Sequence, residues 1–362
     1  MSRRAYLREQ RKQGRRVLGV FPALYPREIL WAAGTLPAEI WDPPLKPGRA
    51  RAHLQSYICS VVHQGLELVL SPLVGEVDGF LFPHTCDSLQ NAASMIRDYL
   101  NPTRPIYFFQ HPRAPYTPSS RVYYRAQLEN LAQDLGPLES GDLTRALVQG
   151  TAINRLVHRL WAERAKGGPG MGNLELYRLL RRGEWLWPED HLAELEKALA
   201  GEGERQESDP GPGRVPVVMS GILPPSEEVL GLMDRLGLTV GGDDLLATGR
   251  RVPEPGVRGP SSGEDMLSFL TEAYFRLPPC PTKGSPLEER LEHLLGLARR
   301  CSARGVIFNV VKFCEPELFD LPGLQAGLKQ AGLPSLVLET EVNSSALGQS
   351  ATRLEAFAEM IL

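Results

Sequence analysis

The sequence predicts an α/β protein with two doubly wound parallel-sheet units, an intervening helical segment and an active-site cleft between the units. Short apolar, β-branched runs alternate with helical patterns toward both ends of the chain, which is typical of parallel sheets. Between them, residues 122–199 show helical spacing interrupted by Gly and Pro. Two apolar runs end in a cysteine beside an acid, at Cys86 and Cys314, and the carboxyl ends of parallel strands form the active-site edge of a sheet.

The chain divides into four predicted parts. Residues 1–15 form a basic helix, residues 16–121 a first α/β domain, residues 122–213 a helical segment, and residues 214–362 a second α/β domain with a C-terminal helix. The helical segment ends in a polar linker, residues 201–213, which is rich in Gly, Glu and Pro.

The first domain alternates strands and helices. Proline at its first position and glycine at its end mark the first of these helices, which covers residues 26–34. The predicted strands are residues 16–21, 36–41, 105–109 and the run before Cys86, and the predicted helices are residues 26–34, 54–70 and 88–100.

The second domain follows the same plan. Asp243 and Asp244, after two glycines, are candidates for a helix cap. A loop rich in Pro and Gly covers residues 252–263. The predicted strands are residues 215–221, 238–240, 333–339 and the run before Cys314, and the predicted helices are residues 225–236, 265–276, 286–304, 322–331 and 352–362.

Composition and charge narrow the expected partners. A net charge of −3 over 362 residues gives no reason to expect a nucleic acid. No apolar run reaches the roughly 18 residues of a membrane helix, so no membrane association is expected. Five cysteines, an odd number without a Cys-x-x-Cys pair or a secretory signal, predict a reducing compartment and a cytoplasmic location.

The cysteines are the strongest functional signal. Cys86 and Cys314, delivered by separate units, predict one site between the two domains. With Cys59 as a third ligand, three thiolates would suit a soft metal or an iron–sulfur cluster. Cys280 and Cys301 are interpreted as core residues, because cysteine is commonly buried. By the same argument, the other three could be incidental thiols of a metal-free protein.

Familiar nucleotide motifs are missing, and no hydrolase site is predicted. The sequence has no Gly-x-x-x-x-Gly-Lys-Ser/Thr for ATP and no Gly-x-Gly-x-x-Gly after its first strand. Its Gly-x-Ser-x-Gly match, residues 259–263, lies in the predicted loop rich in Pro and Gly and does not join a strand to a helix, so no nucleophile elbow is predicted. His84, two residues before Cys86, is either a proton donor or a solvated loop histidine.

Five segments carry a family resemblance by their order and spacing. They are residues 25–34, 55–59, 82–87, 312–316 and 348–357. Together they resemble the cluster-bearing subunits of the 2-hydroxyacyl-CoA dehydratase and benzoyl-CoA reductase family. The Gln-Ser-Tyr-Ile-Cys segment looks closest to the smaller catalytic subunit of benzoyl-CoA reductases, whereas Thr-Cys-Asp and Gly-Gln-x-x-Thr-Arg also occur among the dehydratases. The extra, closely spaced cysteines of the related double-cubane proteins are missing.

The resemblance implies a [4Fe-4S] cluster on Cys59, Cys86 and Cys314. It also implies a homologous second catalytic subunit or a second copy of this chain, and a separate ATP-dependent activator with its own cluster. The missing ATP motif agrees with such an activator.

The resemblance further implies an acyl-CoA thioester bound near the cluster and reduced by one electron to a ketyl radical. The residues expected to line the cleft are Tyr25, Gln55, His84 and Lys312, with His84 as proton donor. The expected function is that of an ATP-dependent benzoyl-CoA reductase-like subunit acting on an aromatic or enoyl acyl-CoA. The alternatives are a 2-hydroxyacyl-CoA dehydratase subunit and a non-catalytic iron–sulfur electron-transfer or scaffold subunit.

Overall fold

Two four-stranded parallel sheets organise the structure, a computed structural model that describes residues 1–46, 48–100, 103–168, 170–201, 214–254, 265–343 and 347–362. The first sheet has the spatial order β2-β1-β3-β4, and its neighbouring strands are parallel. Its strands are β1 (Arg16–Val20), β2 (Thr35–Glu39), β3 (Gly79–Pro83) and β4 (Ile106–Phe109).

The second sheet repeats this arrangement in the order β6-β5-β7-β8, again with parallel neighbours. Its strands are β5 (Val215–Gly221), β6 (Leu238–Leu245), β7 (Gly305–Val311) and β8 (Ser335–Thr340). In each sheet the strand order reverses between the first and third strands along the chain, which leaves a crevice at their carboxyl ends. The two sheets confirm the predicted α/β class.

Helices surround both sheets and fill the segment between them. Those of the first unit are α1 (Arg3–Lys12), α2 (Arg27–Ala32), α3 (Ser60–Leu70) and α4 (Asp87–Met95), which a π-helical turn, Ile96–Leu100, extends. The middle segment contains α5 (Pro118–Leu135), α6 (Ser140–Ala165), α7 (Asn173–Arg182) and α8 (Pro188–Leu199). The second unit contains α9 (Glu227–Arg235), α10 (Met266–Phe275), α11 (Leu287–Cys301), α12 (Glu315–Gln330) and α13 (Leu347–Ile361).

The first sheet is buried on both faces. Val17 and Phe80 point into one core cluster, and Leu18 and Leu81 point into another on the opposite face. Burial on both faces explains why these strands read as nearly continuous apolar runs in the sequence. The cluster around Phe80 also contains Val311 at the end of β7, so one hydrophobic core spans both units.

Three local predictions are wrong. The helix predicted from residue 54 begins only at Ser60, because Cys59 before it has an extended backbone with φ −61° and ψ 147°. The helix predicted over residues 322–331 begins at Glu315 and contains Pro322 within it. Asp243 and Asp244 lie inside β6, so they do not cap a helix.

Some predictions fall outside the described residues or are not tested. Residues 202–213 of the predicted linker and residues 255–263 of the predicted loop lie outside the described part of the chain. The division of the chain into four parts stays a prediction. None of the described helices has both the length and the apolar character needed to cross a membrane.

Candidate functional site

Three cysteines each stand directly before the first turn of a helix. Cys59 is the N-cap of α3, Cys86 of α4 and Cys314 of α12. Two residues separate Cys86 from the end of β3, and two separate Cys314 from the end of β7. Because the unpaired backbone N–H groups of a helix concentrate positive potential at its N-terminus, each cysteine lies where a negative charge is stabilised.

The structure brings these cysteines together from both units. Cys59 and Cys314, each 7% exposed, belong to one core cluster, and the half-buried Cys86 packs against it. The thiols are near enough to influence each other's ionisation, because Cys59 and Cys86 both raise the pKa of Cys314. Next to Cys59, the Ser60 hydroxyl accepts a hydrogen bond of 3.0 Å from the backbone N–H of Val342, which follows β8. The two units therefore meet at this cluster.

Burial and helix ends act on the thiols in opposite directions. Burial raises the pKa of Cys59 to about 12, and it also raises the pKa of Cys86 and that of Cys314. Backbone N–H groups of each following helix lower the same pKa values, through Val61 and Val62 in the case of Cys59. The thiols are therefore protonated in the metal-free protein, and a bound cation would have to displace these protons.

The donor set of the site consists of three thiol groups, which are soft ligands. Within the described ranges, no three His, Cys, Asp or Glu side chains are arranged to hold one metal ion. Around a single tetrahedral ion, thiolate bonds of about 2.3 Å bring the sulfurs within roughly 4 Å of one another. An iron–sulfur cluster places its thiolates on separate irons and tolerates wider spacing. Three soft donors in an apolar pocket fit such a cluster. We predict that the three sulfurs lie within about 7 Å of one another, as a compact centre requires.

The backbone before Cys314 is in an unusual conformation. Phe313 has a φ of 63°, in the left-handed region that bulky residues rarely adopt. The ammonium group of Lys312 lies 5.3 Å from the centre of the Phe313 ring. Such a conformation costs about 1–3 kcal/mol and persists only where the surrounding structure holds it. The loop that presents the Cys314 thiol is therefore held by its surroundings.

His84 is half-buried beside the cysteine site. Its Nε2 atom is buried and has no hydrogen-bond partner among the described residues. Burial lowers the pKa of His84, and the nearby Arg113 guanidinium lowers it further. A neutral imidazole accepts a proton more readily than it donates one at neutral pH. The predicted role as proton donor stays a prediction, and this direction of the pKa argues against it.

The other predicted binding residues do not share one pocket. Tyr25 lines a cavity of about 380 Å³, and its hydroxyl donates a hydrogen bond of 2.8 Å to Glu39. Gln55 is exposed in the loop before Cys59, and Lys312 pairs with Glu341 at 3.1 Å. Neither of these two side chains lines the Tyr25 cavity.

The Tyr25 cavity combines an aromatic wall with cationic side chains. Its wall includes Tyr124 and Tyr274, whose rings stack with centroids 4.2 Å apart. Arg155 lines it, together with the acidic side chains of Glu28 and Glu254. Leu24 and Leu277 line it as well and also pack against the core cluster of the cysteines. The cavity therefore shares two wall residues with the core cluster that contains Cys59 and Cys314.

Cys280 and Cys301 are both buried. Cys280 belongs to the same large core cluster, but its sulfur lies 3.1 Å from the Thr282 hydroxyl and 3.9 Å from the Arg250 guanidinium. Cys301 packs in a separate cluster behind the second sheet. These surroundings agree with the interpretation of both as core residues.

Two arginines of the site are not found by sequence reasoning. Arg250 and Arg251 form buried ion pairs, Arg250 with Asp244 and Glu317 and Arg251 with Glu39. Arg250 lies six residues after Asp244, and this spacing is only a weak indication of an ion pair. Glu317 and Glu39 lie far along the chain from their arginines, so the sequence gives no indication of those pairs.

Comparisons with known proteins identify the family of the chain. The family model described as "2-hydroxyglutaryl-CoA dehydratase, D-component" matches residues 22–361. The chain is 24% identical to the beta subunit of (R)-2-hydroxyglutaryl-CoA dehydratase of Acidaminococcus fermentans, over 99% of this chain and 96% of that protein. It is 23% identical to the (R)-phenyllactyl-CoA dehydratase beta subunit of Clostridium sporogenes, over 98% and 94% of the two chains.

A reductase subunit is also among the relatives. The chain is 28% identical to a benzoyl-CoA reductase subunit of Thauera aromatica, over 96% of this chain and 91% of that protein. All three relatives are named as single subunits of an enzyme. The family resemblance predicted from the sequence is thereby confirmed: the chain belongs to the family of the 2-hydroxyglutaryl-CoA dehydratase D-component.

Proposed function

We propose that the chain is the iron–sulfur catalytic subunit of an ATP-dependent, benzoyl-CoA reductase-like enzyme that acts on an aromatic or enoyl acyl-CoA. The observation that supports the proposal is that Cys59 and Cys314 belong to one core cluster and Cys86 packs against it, with each cysteine at a helix N-terminus. Among the three relatives described above, the identity to the reductase subunit, 28%, exceeds that to the two dehydratase subunits.

In this proposal, Cys59, Cys86 and Cys314 hold a [4Fe-4S] cluster. When bound, the cluster supplies one low-potential electron to the acyl thioester. The chain contributes the conditions for that transfer. Burial of the thiols excludes water, which limits quenching of a radical. The three helix N-termini stabilise the negative charge of the thiolates.

The acyl group is proposed to enter from the cavity lined by Tyr25. Its volume of about 380 Å³ lies in the range of small-molecule sites, and its aromatic wall suits a planar acyl group. Gln55 and Lys312 lie on the loops before Cys59 and Cys314 and are proposed to contact the CoA thioester. His84 is proposed as the proton-transfer residue because it lies two residues before Cys86 and its Nε2 has no partner in the described structure.

Anaerobic purification with iron and sulfide analysis tests the cofactor. The chain is expected to be brown and to bind one [4Fe-4S] cluster. Replacing Cys59, Cys86 or Cys314 by Ala abolishes the cluster, whereas Cys280→Ala and Cys301→Ala serve as matched controls and retain it. Loss of iron in either control, or full iron in any of the three ligand variants, would show that the ligand set is wrong.

A second subunit and a separate activator are proposed as partners. The relatives are named as single subunits, and the sequence has no phosphate-binding Gly-x-x-x-x-Gly-Lys-Ser/Thr motif. Co-expression with a homologous subunit, followed by size-exclusion chromatography with mass measurement, is expected to yield a complex. A strictly monomeric chain that turns over acyl-CoA would contradict this proposal.

The second candidate function is that of a 2-hydroxyacyl-CoA dehydratase subunit. It is favoured by the family description and by the two dehydratase beta subunits. With the reduced activator present, an aromatic acyl-CoA and a 2-hydroxyacyl-CoA are supplied separately. Consumption of reducing equivalents in step with ring reduction supports the reductase, whereas loss of water without net reduction supports the dehydratase. If the chain binds iron but neither binds nor turns over either thioester, the result would support an electron carrier or scaffold.

A further inference from the structure

One short turn contains a buried and a half-buried arginine whose carboxylate partners lie in the two units that supply the cysteines. The 3₁₀ turn Gly249–Arg251 follows β6 and contains Arg250 and Arg251. The Arg250 side chain is 0% exposed and that of Arg251 is 14% exposed. A buried guanidinium requires carboxylate partners with good geometry, and the two arginines find theirs in different units.

Arg251 reaches the first unit. It donates hydrogen bonds of 2.6 and 2.9 Å to the two carboxylate oxygens of Glu39, at the carboxyl end of β2. The same carboxylate accepts the Tyr25 hydroxyl at 2.8 Å and the Trp41 indole N–H at 2.7 Å. Both oxygen atoms of this buried carboxylate are therefore engaged, and the turn is fixed to the unit that supplies Cys59 and Cys86.

Arg250 reaches the second unit. It donates two hydrogen bonds of 2.9 Å to Asp244 and also bonds both carboxylate oxygens of Glu317 in the first turn of α12. Arg290 holds Glu317 from another side at 3.1 Å. The backbone N–H of Glu317 in turn donates to the Cys314 carbonyl at 3.1 Å. Arg250 therefore fixes the helix end that carries the Cys314 thiol.

The turn itself has little freedom to move. An added Cβ at Gly249 would lie 2.1 Å from the carbonyl oxygen of Asp243, so the turn presses directly on β6. The Thr248 hydroxyl donates to the Asp243 carboxyl group and binds the turn to the strand a second time. A turn held this closely transmits the position of one unit to the other.

We propose that Arg250 and Arg251 are positioning residues that hold the Cys314 side of the site in register with the Cys59 and Cys86 side. The inference rests on the proposed function in that the three thiols form one site. It assigns to a single dipeptide the joining of two half-sites that come from distant parts of the chain.

Thiol alkylation in the reduced, metal-free protein tests the inference without any cluster. Iodoacetamide labelling of each cysteine is followed by mass spectrometry in the wild type, Arg250→Met, Arg250→Lys and Arg251→Met. Arg250→Met is expected to accelerate alkylation of Cys314 at least tenfold. Arg250→Lys is expected not to restore protection, because an ammonium group cannot bond two carboxylates as a planar fork does. Arg251→Met is expected to accelerate the alkylation of both Cys59 and Cys314.

Two controls separate positioning from unfolding. Arg299→Met removes an exposed ion pair with Glu292, and its cysteines are expected to be alkylated at the wild-type rates. Cys301, in its own core cluster, should stay protected in every folded variant. If Cys301 becomes reactive in Arg250→Met, the milder Glu317→Gln variant is used, and it too should accelerate Cys314.

The outcomes distinguish this inference from the proposed function. Cys314 labelling within twofold of the wild type in Arg250→Met or Glu317→Gln, with Cys301 protected, overturns the positioning role. After anaerobic reconstitution, Arg250→Met and Arg251→Met are expected to bind at most half the iron of Arg299→Met. A wild-type chain that binds no iron refutes the proposed function, whereas the alkylation rates still decide the positioning role.

Discussion

Replacing Arg250 by Met should destabilise the metal-free chain by about 3–5 kcal/mol, the usual cost of leaving buried charges without their partner. Asp244 and Glu317, 2% and 4% exposed, would both lose a guanidinium that bonds them in two places. Burial opposes ionisation of these carboxylates, and Arg250 is the leading cause that lowers the pKa of each. Asp244 would keep the Ser220 hydroxyl at 2.7 Å, and Glu317 would keep Arg290.

Two further arginines provide a graded comparison. Arg290→Met removes a partner from Glu317, which keeps Arg250, and from Asp320, whose side chain is 25% exposed. Its cost should therefore be smaller than that of Arg250→Met. Arg299→Met breaks a pair whose side chains are 64% and 69% exposed, and such surface pairs contribute about 0–1 kcal/mol.

Urea unfolding followed by tryptophan fluorescence measures this series. With a denaturant slope of about 3 kcal/mol/M, the midpoint of Arg250→Met should fall by about 1–2 M. From the most to the least stable, the variants are expected to follow the order Arg299→Met, Arg290→Met, Arg250→Met. A free energy of unfolding for Arg250→Met within about 1 kcal/mol of that for Arg299→Met would refute the view that this network holds the second unit together.

Three other predictions follow from the same region. Gly249→Ala should lower the free energy of unfolding by about 1–3 kcal/mol, because its Cβ would meet the Asp243 carbonyl oxygen, whereas Gly75→Ala, with open space around it, should change it little in the same urea titration. Burial raises the pKa of Asp243 to about 7, so the folded protein binds this proton more tightly than the unfolded chain does, and the free energy of unfolding falls as pH rises from about 4 to about 7. Asp243→Asn does not titrate, so its stability relative to the wild type should increase across that range. An equal difference in stability at pH 5 and pH 8 would contradict this. Tyr25→Phe removes one of the hydrogen bonds to the buried Glu39 and should lower the free energy of unfolding by about 0.5–1.5 kcal/mol in thermal or urea unfolding. An unchanged stability would mean that Arg251 and Trp41 satisfy that carboxylate without Tyr25.

The sequence by itself determined the fold class and the two strand-end cysteines. Strands buried on both faces must be apolar along their whole length, so β3 and β7 are visible as short runs before Cys86 and Cys314. The alternation of such runs with helical spacing predicts parallel sheets. Both patterns can be seen in the sequence because each depends only on neighbouring residues. The family resemblance rests on short segments around these same positions and needs no tertiary information.

Only the tertiary structure decided which side chains complete the site. Local periodicity placed Cys59 inside a helix, whereas the fold leaves it extended as the N-cap of α3, in the core cluster that also contains Cys314. The pairing of Arg251 with Glu39 spans 212 residues along the chain. A buried charge is stabilised by whichever opposite charge the fold brings beside it, and that choice depends on distance in space, which spacing along the sequence does not encode.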